Sequence, residues 1–131
     1  MMMKSGWGNY PKIKSKVLKI ESLQELQLVV RENDKILAFG NNLSYGDSSL
    51  STVSIDMKKL NGILSFDSQE GILKVEAGTS LKKVLELIVP FGWFVLVAPG
   101  TKYLTVGGMI ASIVHGKNHH KKGSFGNSVI S

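Results

Sequence analysis

Apolar residues at Leu23, Leu26, Val29 and Val30 recur every three or four positions, which is the repeat of one helix face. Ser22-Leu23-Gln24-Glu25 precedes them at capping-box spacing, the serine able to bond the N3 amide while the glutamate reaches back. A helix over residues 23–32 is therefore predicted. Residues 35–39, KILAF, form a short apolar run cut off by Gly40-Asn41-Asn42, and residues 53–56, VSID, form a second after a polar loop at 43–51. Both are read as strands. Residues 63–67 and 72–76 flank Ser68-Gln69-Glu70-Gly71 and are expected to pair as a hairpin. Thr79 or Ser80 can cap a second helix in which Leu81, Val84, Leu85 and Ile88 keep the 3.6-residue period until Pro90 and Gly92 stop it. Residues 94–97, FVLV, are then predicted to be a buried strand leading into Pro99-Gly100. Residues 1–19 are polar and basic and are expected to be irregular, with Trp7 as a packing anchor. Strands alternating with helices, plus one hairpin, argue for an α+β fold with helices packed on a mixed sheet.

Composition adds bounds. A chain of 131 residues with 43% hydrophobic and 20% charged residues fits one globular domain with a core. No repeat, linker or low-complexity tract interrupts it. The formal charge of +6 favours anionic partners: phosphates, nucleic acid or a membrane surface. The absence of cysteine excludes disulfides and thiolate metal sites and is compatible with a cytoplasmic location. No apolar run approaches eighteen residues and the first ten have no signal-peptide core, so neither secretion nor membrane spanning is expected.

Two places in this pattern carry chemistry. The first is the loop from Phe39 through Gly40, Asn41, Asn42, Leu43, Ser44, Tyr45, Gly46, Asp47 and Ser48, at the carboxyl end of a strand. Such a loop can turn successive amides into a nest for phosphate oxygens, with Ser44 and Ser48 as hydroxyl donors. It can equally be an Asn-rich turn, because asparagine tolerates positive φ and bonds its own backbone.

The second is residues 99–126, which hold Gly100, Gly107, Gly108, Gly116, Gly123 and Gly126, all three histidines and four lysines. Thr105 can cap a helix from Val106, and Gly108, Ala111, Ser112 and His115 follow at spacings of three or four. They would form one small-residue face ending in an imidazole, while Met109, Ile110, Ile113 and Val114 cover the other directions. That face can accept a flat ring or another helix. The run His115-Gly116-Lys117-Asn118-His119-His120-Lys121-Lys122 also invites a metal reading, opposed by its lysines and its lack of carboxylate or thiolate. A basic nucleic-acid patch using Lys102, Lys117, Lys121 and Lys122 with Tyr103 or Phe125 is a better rival, but it leaves the glycines unexplained.

Taken in order, GNNLSYGDSS, VSIDMKKLN, VEAGTSLKKVLE, PFGWFVLVAPGTKYLTVGGMIAS and VHGKNHHKKGSFGNSV resemble the amino-terminal part of flavin-dependent oxidoreductases of the vanillyl-alcohol-oxidase and para-cresol-methylhydroxylase type. The resemblance is strongest to the decaprenylphosphoryl-ribose oxidases, through HGKNHH and SYGD, and it spans residues 6–131. It implies FAD in an extended pose. Residues 40–46 match the family's first phosphate loop, Gly100, Thr105, Val106, Gly107 and Gly108 match its second cofactor segment, and Ser112, His115 and Gly116 match positions beside the flavin. His115 is expected to tune or orient the ring.

Asn42 stands where many members have glycine. Members that attach FAD covalently through this loop carry histidine where Leu43 stands, so the resemblance implies non-covalent FAD. It further implies hydride transfer to flavin from a carbinol of a sugar or polyprenyl-phospho-sugar, in the cytoplasm, at the membrane periphery if the substrate is polyprenyl-linked. Aldonolactone or alditol oxidation is the alternative within the class, and a small basic nucleic-acid-binding module the alternative outside it. Members continue into a further part of the FAD domain and a substrate domain, so residues 1–131 are expected to be a partial FAD-binding domain. The pyrophosphate and ring-side surfaces would lie here, without the substrate pocket or general base.

Overall fold

The computed structural model describes residues 1–130. The chain divides into two compact units, Met1–Leu60 and Asn61–Ser131, each with its own apolar cluster, where the length suggested one core.

In the first unit β1 (Met2–Ser5) and β2 (Lys12–Lys19) are followed by α1 (Leu23–Glu32), β3 (Leu37–Phe39) and β4 (Val53–Asp56). They form one sheet in the order β1-β2-β4-β3, with β1 antiparallel to β2 and the other two pairings parallel. The amino-terminal segment expected to be irregular thus supplies two of the four strands. Its pattern explains this: Lys12, Lys14 and Lys16 are exposed while Ser15 between them is fully buried, a period of two carried by a small polar residue. The Ser15 and Ser54 hydroxyls bond each other across β2 and β4 at 3.0 Å, which satisfies both inside the unit.

Helix α1 has the expected bounds and Ser22 caps it by accepting from the Glu25 amide. Glu25 reaches back one residue further than the capping box requires, to the Glu21 amide at 2.8 Å. Only Leu26 and Val29 of its apolar set pack on Ile20, Ile55 and Leu60; Leu23 and Val30 are exposed. β3 begins two residues later than the apolar run suggested.

The second unit holds β5 (Ile63–Asp67) and β6 (Ile72–Val75) as the expected antiparallel hairpin, then α2 (Leu81–Ile88), α3 (Val106–Ala111) and α4 (His119–Lys122). Asp67 Oδ1 accepts from the amides of Gln69 and Glu70, and Gly71 completes the turn at φ 71° with the Trp93 ring packed on it. Ser80, rather than Thr79, caps α2 by accepting from the Lys83 amide. Leu81, Val84 and Ile88 pack with Met109 of α3 into the buried cluster. Pro90 and Gly92 end this helix as expected, through a single turn of tighter helix with Gly92 at φ 82°.

Residues 94–97 are not a strand. Val97 is buried and Val95 is half-buried against the Leu81 cluster, while Phe94 and Leu96 are exposed, so the apolar run is a loop anchored at alternate side chains. The fold class itself stands: α+β, with helices on sheets and both parallel and antiparallel pairing. No helix among the described residues is long and apolar enough to cross a membrane.

Candidate functional site

In the first unit the loop after β3 is shaped by left-handed backbone at Asn42, φ 56°, and Gly46, φ 56°. Asparagine bears that conformation better than other side chains, so the residue standing where a glycine was expected keeps a glycine-like turn. Several carbonyls of the loop are committed. Phe39 O accepts from the Met57 amide at 3.1 Å, Ser44 O from the Trp7 amide at 2.9 Å, and Tyr45 O from the Ser48 hydroxyl at 2.8 Å. Because a trans peptide sets its C=O and N–H in opposite directions, these bonds turn the amides of Gly40, Tyr45 and Gly46 away from the groups that hold the carbonyls. A nest needs successive amides turned to one side, and Tyr45 and Gly46 are the successive pair here. Ser48 spends its hydroxyl on Tyr45, so it is not the donor expected of it in this conformation.

The loop is backed by residues the sequence pattern gave little weight. A Cβ on Gly6 would stand 2.5 Å from Ser44 O and 2.8 Å from Gly46 O, so only glycine allows this approach. Trp7 packs edge-on against Tyr45, with ring centres 5.8 Å apart. Lys4 is 4% exposed, its ammonium donating to Ser49 O and lying over the Phe39 ring. Burial holds its pKa below the ordinary lysine value, and Asp56 partly offsets this. The paired glycines of GWG were the available signal.

In the second unit, residues 94–96 and 98–100 face residues 115–119 across a cleft of about 830 Å³. Of the residues read from the resemblance as cofactor residues in this unit, Gly100, His115 and Gly116 line it and Thr105, Val106, Gly107, Gly108 and Ser112 do not. The first amides of α3 are satisfied internally: Val106 N donates to Thr79 O, Gly107 N to Ala77 O, and Gly108 N to the capping Thr105 hydroxyl. Gly107 is required by that packing, since a Cβ there would stand 2.9 Å from the Ala77 Cβ.

The expected helical stripe from Gly108 to His115 is broken. Helix α3 ends at Ala111 with Ser112 as its cap, and Ile113 at φ 49° turns the chain out of the helix. His115 therefore reaches the cleft from an extended segment bridged to Ser124, not from a helix face. The large side chains divide as well: Met109 is fully buried, whereas Ile110 and Ile113 are exposed.

Gly116 approaches the opposite wall so closely that a Cβ would stand 2.7 Å from Ala98 O. Asn118 ties the same walls together by donating to Leu96 O at 3.2 Å. Gly100 differs: nothing lies within 4 Å of where its Cβ would be. The lining carries His115, His119 and Lys117 and no carboxylate, which suits an electron-rich or anionic ligand. The rings of His115 and His119 meet edge-on with centres 5.1 Å apart, and no group of three metal-ligating side chains occurs among the described residues.

Comparison with known proteins decides which ligand family applies. The family described as FAD binding domain matches residues 15–131. The chain belongs to that family. Within it, this FAD-binding chain is 39% identical over 134 residues to the decaprenylphosphoryl-beta-D-ribose oxidase of Mycolicibacterium smegmatis, covering 95% of the chain and 28% of that protein. Among solved structures it is similar to an alkyldihydroxyacetonephosphate synthase, with TM-score 0.71 at 22% identity, covering 88% of the chain and 24% of the other. A cholesterol oxidase from B. sterolicum matches with TM-score 0.75 at 17% identity, over 87% and 24%. The chain thus spans about a quarter of the length of these relatives. The fold and the cofactor implied by the motifs, FAD, both stand.

The described residues fit FAD on two observations. Ser49 Oγ is buried in the first unit without a hydrogen-bond partner, an arrangement that ordinarily costs about 1–3 kcal/mol and that donation to a phosphate oxygen would relieve, whereas Asn42 Oδ1, also buried and unpartnered, is an acceptor and calls for a donor such as a cofactor hydroxyl. Gly100 leaves open space in a cleft lined by His115, Lys117 and His119 and by no carboxylate, a lining that suits an anionic or electron-rich group.

Proposed function

We propose that this chain is the FAD-holding part of an oxidoreductase acting on a carbinol of a sugar or polyprenyl-phospho-sugar. When bound, FAD would supply the acceptor for the hydride leaving the carbinol carbon. Residues 39–48 would hold the pyrophosphate through the amides of Gly40, Tyr45 and Gly46, joined by the Ser49 hydroxyl. The cleft between residues 94–100 and 115–119 would take the ring side, with His115 orienting it and Gly100 allowing its close approach. Thr105, Val106, Gly107 and Gly108 would shape that surface through packing, since their leading amides are already bonded. Ser112, which caps α3 outside the cleft, is the weakest member of the set. Leu43 cannot form the bond that a histidine at that position makes, so attachment would be non-covalent.

The observation that carries the substrate class is the 39% identity, over 95% of the chain, to an oxidase of decaprenylphosphoryl-ribose. A polyprenyl-linked substrate lies in a bilayer, so a cytoplasmic protein with this activity would work at the membrane surface. The test is to purify the full-length protein, record its visible spectrum, and add substrates without oxygen. Flavin bands that survive dialysis, vanish on acid precipitation into the supernatant, and bleach with polyprenyl-phospho-ribose would bear the reading out. Bleaching by alditols or aldonolactones alone would move the substrate class. A colourless protein that binds DNA with a steep salt dependence would replace the reading by a nucleic-acid one.

A further inference from the structure

Lys4 lies in the segment the sequence marked as least structured, and the structure encloses it almost completely. It sits on β1 opposite Ile13 of β2 and is 4% exposed. An ammonium removed from water needs compensation of several kcal/mol, so its surroundings have to be specific. They are: Nζ donates to the Ser49 carbonyl at 3.3 Å and stands 3.4 Å from the centre of the Phe39 ring. Phe39 is the last residue of β3 and Ser49 follows the nest loop, so one charge touches both ends of that loop. Ser49 presents its carbonyl to Lys4 while its hydroxyl is buried and unpartnered, as is Asn42 Oδ1 within the loop. The charged group facing Lys4 is Asp56, whose carboxylate is shared with Lys58 at 3.4 Å. Lys4 is therefore only partly neutralised from that side.

We propose that Lys4 is a positioning residue for the FAD pyrophosphate, tying the two ends of the loop together and setting a positive charge behind it. The proposal rests on the reading that this loop holds the pyrophosphate. A charge kept out of water is weakly screened, so it acts on a phosphate held by the loop amides without having to touch it. The aromatic contact and the carbonyl bond fix where the charge stands, and they also fix the spacing of the strand ends between which the nest forms.

The experiment compares wild type, Lys4→Met and Lys4→Arg in the intact protein, titrating the stripped protein with FAD and with riboflavin, which has the ring and lacks the pyrophosphate. Hydrogen exchange of residues 40–49 is followed in parallel. Lys4→Met is expected to weaken FAD about ten- to a hundredfold, from the loss of a charged hydrogen bond and a cation–π contact. Riboflavin affinity should stay unchanged, Lys4→Arg should recover most of the FAD affinity, and exchange should rise in residues 40–49 but not in α2. Where Lys4→Met does not fold, Lys4→Gln takes its place, keeping a donor without the charge. Equal losses for FAD and riboflavin, or a Lys4→Met protein that binds FAD as wild type does, would overturn the role of Lys4. Wild-type protein that takes up no FAD would overturn the pyrophosphate reading itself.

Discussion

Replacing Gly116 by alanine should loosen the cleft in a way that a neighbouring glycine will not. A Cβ at Gly116 would stand 2.7 Å from Ala98 O, 3.4 Å from Ala98 N and 3.2 Å from Asn118 Oδ1. The asparagine can swing aside, though it would give up its bond to Leu96 O. Ala98 is backbone, next to the fully buried Val97, and has nowhere to go without moving the wall. Forcing a methyl group into such a contact costs about 1–3 kcal/mol. Against that, alanine lowers the entropy of the unfolded chain and returns about 0.4–1 kcal/mol. At the middle of both ranges the net loss is about 1.3 kcal/mol, which for a domain of this size lowers Tm by roughly 5 °C in a calorimetric scan. Gly100→Ala, in the same cleft but with open space around its Cβ, should melt with the wild type and lose FAD affinity instead. If Gly116→Ala melts with the wild type, or Gly100→Ala binds FAD undiminished, the division between a structural and a ligand-facing glycine is wrong.

Three further outcomes follow from the same geometry. Met109→Ala removes a side chain that is 0% exposed from the cluster with Leu81, Val84 and Ile88, and should cost about 2–5 kcal/mol in urea unfolding. Gly46→Ala meets no neighbour but must hold φ 56°, so it should lose about 1–2 kcal/mol by the same measurement while Gly46→Asn loses less. At alkaline pH, two lysines act with opposite sign. Burial lowers the pKa of Lys4 in the folded protein from 10.5, so between the lowered value and 10.5 the unfolded state binds more protons and stability rises with pH. The Lys59 ammonium, bonded to Glu21, has its pKa raised, so its contribution is present below 10.5 and lost as pH rises through the raised value. The difference in unfolding free energy between wild type and Lys4→Met should therefore grow in favour of wild type on approaching pH 10.5, and a flat difference would remove the burial argument.

What the sequence made legible was what local chemistry decides. The capped helix at 23–32, the strand at 53–56 and the Asp67-to-Gly71 hairpin turn are each specified by residues within a few positions of one another. The losses came where the decision lies elsewhere in the chain. Residues 94–97 are apolar enough for a buried strand, but no strand edge pairs with them among the described residues, and a run without period cannot say which. The strands at 2–5 and 12–19 were hidden because their inward positions include Ser15 and Lys4, whose burial is made tolerable by Ser54, Ser49 and Phe39, roughly 35 to 45 residues away.

The glycines of the site show the same division at the scale of single atoms. The high density of glycine in residues 99–126 argued for backbone held close either to a ligand or to other backbone, and one sequence cannot tell these apart. The structure separates them by what a Cβ would meet. Gly107 and Gly116 are glycine because Ala77 and Ala98 press on them, so their places follow from folding alone. Gly100 has no such neighbour, and φ there lies outside the left-handed region, so neither packing nor backbone conformation asks for glycine at that position. Gly8 is open in the same way, so open space alone names no ligand; Gly100 is set apart by lining the cleft proposed for the cofactor, where an added Cβ would meet no protein atom. Gly100 is therefore the glycine whose substitution tests the cofactor rather than the fold.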